Sequence, residues 1–125
     1  MGASAILDEL LGNLQGILSD GFGDIADFAE RQGRMLAQQA ELIAEQRIDG
    51  ALRANDALFH FFLDGMRRDA TNMARAIAML TAITIEKAWN AIANALWGGV
   101  RTILTAAGVP AALIPATPPA PVVAA

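Results

Sequence analysis

A chain of 125 residues with 54% apolar side chains has room for one domain and the means to build a core for it. A net charge of −4, with no run of either sign, excludes sequence-specific nucleic acid as a partner, because phosphate binding needs a basic surface. With no cysteine, disulfides and thiolate chemistry are excluded as well.

Alanine supplies 27 of the residues, so bulky apolar side chains are scarcer than the apolar fraction implies. Close helix–helix contact through small side chains is the expected use of so much alanine. Eight of the nine basic residues are arginine, which with the alanine and glycine content predicts a GC-rich coding genome, bacterial or bacteriophage.

The opening MGASAILDELL lacks a basic stretch and carries Asp8 and Glu9, so no secretory signal is expected. Ile6 stands where a myristoylation motif needs Ser or Thr. Ile6, Leu7, Leu10, Leu11, Leu14, Ile17 and Leu18 recur at helical spacing and predict a helix over 4–19, capped by Ser4. The glycines around Phe22 predict a turn, with Asp24 capping a second helix over 24–48.

In that second helix Gln32, Gln39 and Gln46 are seven residues apart, beside Leu36 and Ile43. Two readings stay open. The glutamines sit in a coiled-coil seam and set its register, or they flank a seam made by Ala29, Gly33, Leu36, Ala40 and Ile43. Either way the helix faces another helix, expected from a second copy.

Asp49-Gly50 and Asp64-Gly65 are turn-type pairs, and between them a third helix is predicted over 51–64. It carries LFHFFL, with Phe59 and Phe62 on a face wide enough to need several neighbours. A fourth helix is predicted over 69–97, capped by Asp69 and extending to about 106. Trp89, Ile92, Leu96 and Trp97 lie along its apolar stripe, and Glu86, Lys87, Asn90, Asn94 and Arg101 form the opposite face. Its uncharged run from Ala76 to Ile85 is too short to span a bilayer, which takes ~20 residues. Residues 109–125 form an uncharged tail holding all five prolines, separate from a helical domain over 1–108. Proline sets an extended conformation. Leu113, Ile114, Val122 and Val123 are its expected anchors on a neighbouring subunit or partner.

No constellation for chemistry emerges. Asp56 and His60 are four apart and give one metal edge, but a second such pair is missing, and His60 among phenylalanines reads as a packed core residue. No serine sits in a nucleophile motif. No catalytic, cofactor or metal residue is therefore expected. The fold class expected is all-α: long amphipathic helices in a bundle or coiled-coil-like homo-oligomer with an extended Pro-rich tail. The function expected is non-enzymatic assembly, as a homo-oligomer or part of a larger complex. The setting is the cytoplasm or a bacteriophage virion, where the chain would be an internal, portal- or tail-associated or genome-delivery protein. The alternative is an amphipathic coat on a membrane or storage granule, of the kind phasins form, although no motif carries that family.

Overall fold

Four helices dominate the computed structural model, which describes residues 2–121. α1 spans Ala3–Leu18, α2 Phe22–Asp49, α3 Asp56–Leu80 and α4 Ile85–Ala106, with 3-10 turns at Ser19–Gly21 and Ala111–Leu113. No strand occurs among the described residues. Short connections make successive helices run antiparallel. α4 packs on all three others, α2 packs on α1, α3 and α4, and α1 and α3 are held apart by the α2–α4 pair. Because α4 is enclosed, half of its 22 residues are buried. The Glu86, Lys87, Asn90, Asn94 strip is exposed and Arg101 is half-buried, as the periodicity predicts.

Small residues set the helix spacing. A Cβ at Gly99 of α4 would lie 2.6 Å from two carbons of Ile6, and one at Gly33 of α2 would lie 3.1 Å from Leu7 and 3.2 Å from Leu10. Ala29, Ala37, Ala40, Ala44, Ala70, Ala74, Ala88, Ala93 and Ala95 are all fully buried. Much of the alanine therefore sits at helix contacts, where short side chains bring neighbouring backbones together.

Several boundaries differ from the sequence expectation. α1 begins at Ala3 with no side-chain cap from Gly2, and Ser4 lies inside the helix. The Glu41 carboxylate of α2 accepts the Ala3 N–H at 2.8 Å instead, so a neighbouring helix satisfies a donor that a local cap would otherwise take. α2 starts at Phe22, which places Asp24 in its first turn, where its charge favours the positive end of the helix dipole, rather than at the cap.

The larger correction concerns the third and fourth helices. Residues 51–54 form turns, and Asn55 caps α3 by accepting the Leu58 N–H at 2.9 Å. Gly65 and Asp69 lie within α3, and the break falls at 81–84. A helical glycine costs about 1 kcal/mol. The continuous buried stripe of Phe59, Leu63, Met66, Ala70, Met73, Ala74 and Ile77 outweighs it. At the true break Thr84 caps α4 by accepting the Lys87 N–H, with Glu86 in the first turn.

Candidate assembly surface

The buried seam of α2 contains Ala29, Gly33, Leu36, Ala40 and Ile43. The glutamines flank it, with Gln32 exposed and Gln39 and Gln46 half-buried. Gln46 has a local task, since its Oε1 accepts the Ala51 N–H at 3.0 Å just beyond the helix end. Among the other residues expected to meet a partner, Leu36, Ile43, Phe59, Trp89, Ile92, Leu96 and Trp97 are buried within this one chain. Phe62 is 43% and Leu113 48% exposed, while Ile114 packs partly against the core. Val122 and Val123 lie outside the described residues.

One polar residue organises the α2–α3 corner and was missed by sequence reasoning. Arg47 is 8% exposed. Its guanidinium donates to the Leu52 carbonyl at 2.8 Å and to the Asp56 carboxylate at 2.6 Å, and lies 4.5 Å from the centre of the Phe59 ring. The signal was present: Arg47 continues the 4-3 spacing of the inner seam beyond Ala40 and Ile43. The side chain thus replaces a core residue with a planar donor that fastens the turn. Arg47→Ala is expected to cost about 2 kcal/mol, mostly in lost hydrogen bonds to the turn and stacking on Phe59. Asp56 is mostly exposed and adds little. Chemical denaturation measures this; a cost below about 0.5 kcal/mol would show that the turn holds without it.

Asp56, the residue expected to share a metal edge with His60, is paired with Arg47 instead. His60 is exposed rather than packed in the core, with its ring centroid 5.7 Å from that of Phe59. Among the described residues no group of three His, Cys, Asp or Glu side chains is placed to hold a metal ion.

The described part of the C-terminal segment lies on its own bundle. Pro118 accepts the indole N–H of Trp89 at 3.1 Å, and Thr117 accepts from Arg101 at 2.6 Å. Pro115, Ala116 and Pro118 border a groove with His60, Leu63, Arg67 and Trp97, between α3 and α4. Sequence reasoning expected the tail to strap a neighbour, whereas these contacts cover the flank of α4 that α1, α2 and α3 leave open. Trp89 and Trp97, with ring centroids 5.8 Å apart, are buried beneath it.

Several large apolar side chains remain outside. Met35 and Leu42 on α2 are 64% and 56% exposed. Phe61 and Phe62 lie on α3, and Met79 and Leu80 at its end reach 86% and 61%. Further open grooves lie on the surface. Glu9, Asn13, Lys87, Asn90 and Asn94 line one between α1 and α4, and Arg67, Arg68 and Arg75 border another on α3. No buried side-chain nitrogen or oxygen among the described residues lacks a hydrogen-bond partner. No described helix is long and apolar enough to cross a membrane. No protein-family model, curated protein or solved structure matches this chain.

Proposed function

We propose that this protein is a structural assembly component that works by associating with further copies of itself. The observation that carries this reading is the exposure of Met35, Leu42, Phe61, Phe62, Met79 and Leu80 on a bundle whose interior is already filled. Pairs of large apolar side chains that their own chain leaves uncovered are candidate contact points for a partner. The arginine-over-lysine bias with the alanine and glycine content fits a GC-rich bacterial or bacteriophage genome, and a virion is one setting for such a component.

A second reading has its own support in the end of the bundle. Met79 and Leu80 project at the α3–α4 connection, and successive helices being antiparallel puts the α1–α2 connection, with Ile17 38% exposed beside it, at the same end. An apolar end of this sort suits contact with a lipid or granule surface. Sedimentation velocity over a wide concentration range, paired with vesicle flotation, separates the two. A discrete oligomer that stays with the buffer is the expected result. A monomer at every concentration that floats with vesicles would overturn the assembly reading in favour of the lipid-surface one.

A further inference from the structure

We infer that two copies pair through the outer face of α2, antiparallel, about a twofold axis close to Gln38; this rests on the assembly reading above. Beside the seam that α2 buries within its own chain, a second seam with the same 4-3 spacing faces outward. Phe28, Met35 and Leu42 occupy one set of heptad positions, and Gln32, Gln39 and Gln46 the other. Met35 and Leu42 are more than half exposed, Gln32 is exposed, and Phe28, Gln39 and Gln46 are half-buried at the margin. This is the spacing by which helices pack at a shallow angle with side chains interlocked. α2 is long enough to carry it, since 28 residues rise about 42 Å.

Charge identifies the occupant. The positions flanking the seam on its solvent side are Arg31, Gln38 and Glu45, all exposed. None of the three takes part in an ion pair among the described residues. Reversing this short pattern exchanges Arg31 with Glu45 and leaves Gln38 on the axis. A second copy in the antiparallel direction therefore sets each Arg31 against the other copy's Glu45, twice by symmetry. The same register lays Gln39 beside Met35, Gln32 beside Leu42 and Gln46 beside Phe28. Every layer then pairs an apolar side chain with an amide whose stem packs and whose head stays at the wet edge. A parallel pair offers no such match, because the flanking positions on the other side are Ala29, Leu36 and Ile43, buried within the chain. With amides in every layer the pair is weak and reversible.

The test is sedimentation equilibrium on the full chain and its variants, with helical circular dichroism to confirm folding. Met35→Lys with Leu42→Lys is expected to abolish the dimer. Arg31→Glu alone and Glu45→Arg alone should each raise Kd about tenfold, because two symmetry-related pairs turn from attraction to repulsion. Arg31→Glu combined with Glu45→Arg should restore Kd to the wild-type value. Failure of that rescue overturns the antiparallel register. An oligomer that persists with both lysines overturns this seam but leaves the assembly reading standing. A wild-type chain that stays monomeric throughout overturns both.

Discussion

Trp89→Ala is expected to destabilise the fold by about 3–5 kcal/mol, the usual cost of removing a fully buried large aromatic side chain. Trp89 has no exposed surface, packs against Trp97 in the central helix, and donates its indole N–H to the Pro118 carbonyl. Its loss opens a cavity beside the first turns of α4 and removes a hydrogen bond that holds the C-terminal segment. Trp89→Phe separates these effects: it keeps most of the volume, lacks the N–H, and is expected to cost about 1 kcal/mol. The carbonyl it releases reaches solvent when the segment lifts. Equilibrium urea denaturation gives the stability change, and limited proteolysis between residues 109 and 121 reports release of the segment. A Trp89→Ala variant less than 1 kcal/mol below the parent would contradict the central place given to this residue. Proteolysis of Trp89→Phe at the parent rate would show that the segment is held by other contacts.

Two neighbouring glycines should respond to substitution with opposite signs. A Cβ at Gly99 falls 2.6 Å from Ile6 Cδ1 and Cγ1, and Ile6 has no exposed surface into which to swing. Gly99→Val is therefore expected to force α1 away from α4 and cost about 3 kcal/mol, at the upper end for overpacking a core. At Gly98 the nearest atom is Arg101 Nη2 at 3.9 Å, the end of a flexible side chain. Gly98→Ala is expected to gain somewhat under 1 kcal/mol, because alanine has the higher helix propensity and nothing obstructs it. Thermal denaturation compares the pair directly. Ile6→Ala in the Gly99→Val background should make the two changes less costly together than their sum. Strict additivity would mean that the close approach is relieved elsewhere.

How much of the candidate surface was legible is best judged residue by residue. Gln32, Gln39 and Gln46 stand out in the sequence because a polar residue recurs every seven positions. Whether they lay in a seam or beside one depended on which way α2 is rotated in the bundle, and no local pattern contains that rotation. The structure turns Ala29, Gly33, Leu36, Ala40 and Ile43 inward and leaves Met35 and Leu42 outside. Arg47 shows the converse. Its spacing places it on the inner seam, but its charge argues for solvent, and only the Leu52 carbonyl, Asp56 and the Phe59 ring at one corner make its burial favourable.

By itself the sequence determined the helical class, the apolar and polar faces of α4, and the use of alanine for close packing, because 3.6-residue periodicity and side-chain volume are local properties. The tertiary structure decided where the helices break. Asp64-Gly65 has the chemistry of a turn, yet it lies within α3, because a stripe from Phe59 to Ile77 is buried along one continuous face and each further turn of helix adds packing that exceeds the glycine's cost. Residues 81–84 carry no glycine or proline, yet the chain turns there so that α4 folds back into the centre of the bundle. The same long-range geometry determined the place of the C-terminal segment. Proline gives it an extended form wherever it goes, but only the flank of α4 left uncovered by three helices, with the Trp89 N–H pointing out of it, gives that segment a surface of its own chain to lie on.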